Sequence, residues 1–414
     1  MSEAIISLEE AREDAYSMPL EDLNPAQAEL FEADAIWPYF ERLRKEAPVH
    51  YCRTSEEFGP YWSLSKYADI KAVDMNDAVF SSEGAITIDD PDEDFQLPMF
   101  IAMDPPKHDA QRKVVAPVVG PANLAALEPI IRQRVCAILD SLPLGETFNW
   151  VDKVSIELTT QMLATLFDFP WEDRHKLTRW SDVATANEES GLIDSEEQRQ
   201  EELLECLAYF TELWNDRINK EPGNDLISML AHGESTRNME PMEYLGNLVL
   251  LIVGGNDTTR NSLSGGLLAL NQFPDQMTKL RQDPSVIPNM VSEIIRWQTP
   301  LAHMRRTALE DCEVGGQQIK KGDKVVMWYV SGNRDEDKFV NANDFVIDRP
   351  NARQHIAFGF GLHRCMGNRV AEMQLRIAWE EILNRFSKLE LVGDPVRVRS
   401  SFVKGYLELP VVLG

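Results

Sequence analysis

Cys365 carries the clearest chemical potential in this sequence. It lies within residues 353–386, RQHIAFGFGLHRCMGNRVAEMQLRIAWEEILNRF, where Gly359, Gly361 and Gly367 crowd it and a helical pattern begins directly afterwards. Leu375, Ala378, Trp379, Ile382, Leu383 and Phe386 follow the i, i+3, i+4, i+7 spacing of a helix with one apolar face. The spacing therefore puts Cys365 at a helix N-terminus, where free backbone N–H groups and the positive end of the dipole stabilise a thiolate; Arg364 and Arg369 act in the same direction. Glycines let the backbone lie against a flat partner and leave the sulfur accessible on one side. Such a thiolate suits a soft or borderline metal. Axial ligation of haem iron, with the sulfur pushing electron density toward the opposite ligand, is one reading; an inert buried thiol is the other.

Three further groups of residues stand out. In the apolar helical stretch 244–260, Gly254-Gly255-Asn256-Asp257-Thr258-Thr259 interrupts the pattern. Each interior glycine costs about 1 kcal/mol relative to alanine, and Asp and Thr are also poor helix formers, so the segment needs a reason beyond packing. Threonine hydroxyls there can replace backbone bonds and open a bulge. His108 and Arg112, four apart after Pro105 and Pro106, share one face of a helix that starts near the prolines. Glu293 and Arg296, three apart, also share a helix face, although such a pair recurs by chance in helical proteins.

The elements that must hold these groups are mostly helical. Between Glu128 and Leu230 apolar residues recur at three and four, as in Ile130, Val135, Ile138 and Leu139, and the acidic run from Asp194 to Glu205 reads as a solvated helix face. Strand character is confined to 49–53 and 61–64, a hairpin around Gly59-Pro60, and to CEVGGQQIKKGDKVVMWYVS with its two glycine turns. Strands, many helices, strands and a final helix predict a mainly α (α+β) fold and exclude a repeated βαβ pattern. With no linker or repeat, residues 1–414 read as one domain, with 1–25 as a poorly ordered N-terminal extension. The 68 acidic and 41 basic side chains give a net charge of −27, which argues against nucleic-acid binding or a membrane-surface habit. No apolar run approaches the ~20 residues of a membrane span, so no membrane insertion is expected. The N-terminus does not resemble a signal peptide, and five scattered cysteines without a CxxC fit a reducing cytoplasm.

Phe358-x-x-Gly361-x-His363-x-Cys365-x-Gly367 resembles the haem-binding loop of the cytochrome P-450 superfamily. The resemblance implies that fold, a large helical bundle around haem with small β-sheets. It also implies haem b (iron protoporphyrin IX) with Cys365 as the iron ligand, Phe358 and Gly361 in the loop beside it, and His363 near a propionate. Asp257 and Thr258 match the family's acid–alcohol pair, in which the threonine hydrogen-bonds dioxygen or an ordered water and the acid relays protons. Glu293 and Arg296 match its ExxR element, with the segment 344–349 supplying a second arginine to an ion network. His108, Arg112 and Arg306 match the cationic partners of the two haem carboxylates, with Arg305 an alternative to Arg306.

The activity implied is mono-oxygenation, the insertion of one atom of O2 into an unactivated C–H bond. Only short strands follow the final helix, so electrons are expected from a separate ferredoxin served by an NAD(P)H-dependent ferredoxin reductase. The expected dock is a basic island of Lys107, Arg112, Lys113, Arg353, Arg364 and Arg369. GGNDTTRNSLSGG, HMRRTA, NRDEDKF and the cysteine segment look most like bacterial terminal hydroxylases of medium-chain n-alkanes and fatty acids. Hydroxylases of terpenoid alcohols and sterol side chains share much of the central string, so a terpenoid or sterol side chain is the alternative. Phe95, Leu97, Met99, Phe100, Ile101 and Met103, together with Leu251, Leu301 and Met304, are expected to enclose a small hydrophobic substrate. A haem peroxygenase or a non-catalytic haem sensor would not need the Asp257–Thr258 relay, and a haem-free binding protein would leave the cysteine loop without purpose.

Overall fold

The computed structural model describes residues 6–53, 58–186 and 190–414. A 32-residue helix, Pro241–Gln272, is buried along most of its length and packs against helices His175–Thr185, Glu157–Phe167, Ile287–Gln298 and Asn368–Arg385. Pro241 occupies its first turn, where a missing N–H costs nothing. The helix runs unbroken through 254–259: Thr258 Oγ1 donates to the Gly254 carbonyl at 2.9 Å in addition to the backbone ladder, so the expected bulge does not open. A π-helical turn forms elsewhere, at Val151–Ile156, leading into Glu157–Phe167.

Helices dominate the fold, and the sheets are small, as expected. The larger sheet has the strand order Val49–Cys52, Tyr61–Leu64, Lys324–Met327, Met304–Ala308, Phe80–Ser81. The first two form the expected antiparallel hairpin, and Tyr61–Leu64 pairs in parallel with Lys324–Met327.

Of the extension expected at 1–25, residues 1–5 lie outside the described residues, and the rest packs onto the fold. Ser7 and Glu10 form a reciprocal capping box for the helix Leu8–Ser17, and Ala11 and Ala15 are buried against the helix Trp37–Glu46. Further on, Asp34 and Glu29 pair with Arg397 and Arg399, tying this end of the chain to the C-terminal strands.

Glu293 and Arg296 are fully buried in a bidentate pair, 2.7 Å at both contacts, and Arg349 Nε donates to Glu293 at 3.0 and 3.1 Å. The arginines' remaining donors reach backbone carbonyls of 333–344, including those of Asn333, Ala342 and Asp344. The network thus fixes the irregular stretch leading to the cysteine loop. Losing one partner of so deeply buried a charge cluster typically costs several kcal/mol.

Candidate functional site

The cysteine loop is held in shape by its own backbone. The Cys365 N–H donates to the Phe358 carbonyl at 2.8 Å, and Gly359 and Gly361 both adopt φ near +65°, the left-handed region that glycine favours. The final helix begins at Asn368, three residues beyond Cys365, and the sulfur receives the N–H groups of Gly367 and Asn368. The side chain lies deep in the protein yet remains accessible. Burial pushes the Cys365 thiol above its ordinary pKa, outweighing those two N–H groups and the Arg112 and Arg364 cations. This reverses the direction expected from the helix terminus alone. Coordination to a metal cation removes the proton outright, so the loop favours a thiolate only with a metal bound.

Beside the loop the predicted cationic residues converge. The rings of His108 and His363 meet edge to face with centroids 4.3 Å apart. His108 Nδ1 pairs with Asp109, while its Nε2 and both ring nitrogens of His363 are buried without a hydrogen-bond partner. Burial, together with the nearby Arg306, His108 and Arg112, depresses the His363 pKa to about 3. Arg112 donates to the Arg364 carbonyl at 2.5 Å. Arg306 is buried and paired with Asp74 at 2.7 Å, whereas Arg305 pairs with the exposed Asp90 at 2.7 Å. An accessible thiol beside orphaned N–H donors and two guanidinium groups is a donor set that suits iron protoporphyrin with its two carboxylates.

Asp257 and Thr258 are adjacent but face different surroundings. Gly254 is exposed in the middle of an otherwise buried helix, a Cβ there would meet nothing within 4 Å, and the Thr258 hydroxyl lies on this open side. Asp257 is fully buried elsewhere, accepting from Arg260 at 2.6 Å, Asn256 at 3.2 Å and Ser181 at 3.3 Å. Burial pushes Asp257 up to about 6 against the pull of Arg260, which also pairs with Asp182 at 2.9 Å. In this conformation Asp257 and Thr258 therefore point to different surroundings, the acid toward Arg260 and the hydroxyl toward the open side. Arg260 was missed, although its i+3 spacing from Asp257 was legible; Asp182 and Ser181 come from another helix and left no local signal.

The expected substrate loop lies along the same helix. Pro98 O would be 2.2 Å from a Cβ on Gly246, so only glycine allows this approach, and Phe100 N donates to Asn247 at 2.9 Å. Phe95, Leu97, Phe100 and Met103 pack in one apolar cluster with Leu251 and Val253.

A buried helical bundle with a glycine-framed cysteine loop defines a haem-thiolate protein. The chain belongs to the cytochrome P450 family, whose model matches residues 119–403. It is similar to a solved cytochrome P450-153 from Novosphingobium aromaticivorans, at 48% identity and a TM-score of 0.89, covering 95% of this chain and 100% of that one. It is 38% identical over 388 residues to the linalool 8-monooxygenase of Pseudomonas putida (90% of this chain, 94% of the relative). It is 32% identical over 386 residues to a methyl-branched lipid omega-hydroxylase of Mycobacterium tuberculosis (90% of each). The protein is a cytochrome P450 monooxygenase with haem b as its cofactor.

Proposed function

We propose that this monooxygenase hydroxylates the terminal carbon of medium-chain n-alkanes or fatty acids, drawing electrons from a ferredoxin and an NAD(P)H-dependent ferredoxin reductase. In this reading Cys365 is the iron ligand, Phe358 and Gly361 shape its loop, and His108, Arg112, His363 and Arg306 hold the haem carboxylates. Bound haem supplies the activation of O2 and the insertion of one oxygen atom into C–H.

The observation that supports the substrate reading is that Phe95, Leu97, Phe100, Met103, Leu251 and Val253 all belong to or pack against the main apolar core, on and beside the helix that carries the exposed Gly254, whereas Met304 packs against a separate cluster. Such a lining orients a flexible hydrocarbon by contact alone. Arg179 and Arg174, two candidates for holding a carboxylate, are already engaged. Arg179 is bidentate to Glu202, and Arg174 pairs with Glu157 and stacks on Trp171. The omega position in one relative's name agrees with terminal attack.

Around the reacting carbon, Thr258 Oγ1 holds a proton donor on the open side of the helix. Asp257, raised to about 6, would take a proton by way of Arg260 and Asp182, which line a cleft together with Ser400, and pass it on after its carboxylate leaves Arg260.

Incubating n-alkanes, fatty acids and terpenoid alcohols of graded length with a surrogate ferredoxin and reductase tests this reading. Primary alcohols from medium-chain n-alkanes are expected. Turnover of terpenoid alcohols alone, the reading favoured by the linalool relative, would overturn it.

A further inference from the structure

Asp74, the last residue of the helix Tyr67–Asp74, is 4% exposed and belongs to no motif in the sequence. Its carboxylate joins three separate elements. Oδ1 accepts from Arg306 Nη2 at 2.7 Å; Oδ2 accepts from the Tyr329 hydroxyl and from the backbone N–H of Phe360, each at 2.7 Å. The backbone is equally close. A Cβ on Gly361 would fall 2.5 Å from the Asp74 carbonyl, and one on Gly359 would fall 3.4 Å from Asp74 Oδ2. The two left-handed glycines of the cysteine loop are therefore fitted around Asp74. Tyr329 remains a donor, because burial and the Asp74 charge hold its hydroxyl well above its ordinary pKa.

We propose that Asp74 is a positioning residue that sets both the cysteine loop and the charge beside the haem, by anchoring Phe360 N–H and neutralising Arg306. The reason is electrostatic as well as geometric. A buried carboxylate with three donors is fully satisfied, and each bond to a charged group is stronger than a neutral one. Without its negative charge, the Arg306 guanidinium would act uncompensated on the cofactor and favour the electron-richer ferrous form. An amide in its place would also turn a donor toward either Phe360 N–H or Arg306. This role rests on the reading of Cys365 and Arg306 given above.

The test uses the full-length haem-loaded protein with Asp74→Asn and Tyr329→Phe, the latter removing one bond and no charge. Measurements are haem transfer to an excess of apomyoglobin, the potentiometric ferric/ferrous equilibrium and the reduced carbon-monoxide spectrum. Asp74→Asn is expected to release haem at least tenfold faster and to shift the equilibrium toward ferrous several-fold. Tyr329→Phe is expected to release haem two- to fourfold faster with little change in potential. Wild-type haem release and potential in Asp74→Asn would overturn the proposal. If that variant does not fold, Tyr329→Phe decides: faster release supports the role and wild-type release overturns it. A wild-type protein lacking the thiolate spectrum would instead overturn the assignment of Cys365, which keeps the two failures distinct.

Discussion

Thr258 and Asp257 sit on consecutive positions of one helix, so their side chains point about 100° apart, and only Thr258 lies on the open side. In the proposed mechanism the hydroxyl controls protons at the site, with the carboxylate behind it as a reservoir. Thr258→Ala is expected to keep consuming NAD(P)H while diverting most of it to hydrogen peroxide, read as the ratio of product to cofactor oxidised; full coupling in that variant contradicts the role. Such local positions were legible because helix periodicity fixes them. The orientation of Asp257 was not, because Ser181, Asp182 and Arg260 determine it from two helices at once. Asp74 left no trace either: a carboxylate ending a short helix has meaning only when the cysteine loop folds back onto it.

At the scale of elements, the helix Lys107–Val115 and the cysteine loop meet, with Arg112 bound to the Arg364 carbonyl. Lys113, Arg353, Arg364 and Arg369 are exposed, and the last three surround Glu372, so most of the expected basic island exists. Lys107 contributes less, since Glu243 pairs with it at 3.0 Å. If this surface receives an acidic ferredoxin, Arg364→Glu should slow haem reduction about tenfold at low salt and flatten its salt dependence, with Lys107→Glu weaker. Stopped-flow reduction indistinguishable from wild type would count against this dock. The hairpin, the central helix and the final helix were readable because each buries a regular apolar stripe. The N-terminal helix was not, because it packs through Ala11 and Ala15, whose small side chains barely register as apolar.

At the scale of the whole molecule, the −27 charge describes the surface, while the interior holds histidines that must stay neutral. His303 accepts from Ile88 N–H through Nε2 and reaches the Ser401 carbonyl through Nδ1, so protonation would break the first bond; burial lowers it to about 4. His355 accepts from Ala357 N–H and is lowered by burial to about 3. Both bind protons more readily in the unfolded chain, so stability is complete above about pH 6.5 and falls as the pH drops toward the folded values. Each contributes about 1.4 kcal/mol per pH unit within that window. Asp257, raised by burial, has the opposite sign between roughly pH 4 and 6, but the three depressed histidines, His363 included, outweigh it, leaving a net loss toward acid. Urea midpoints measured from pH 7 to 4.5 should decline steadily; a flat or rising profile contradicts this balance.

In the proposed enzyme Cys365 presents a thiolate to haem iron. The most direct test of this is the absorption spectrum of the reduced, carbon-monoxide-bound protein. The wild type should show the red-shifted Soret band of thiolate ligation, and Cys365→Ala should lose it while keeping its helical circular dichroism. A wild-type protein that is colourless, or a Cys365→Ala variant that retains the red-shifted band, would contradict the account.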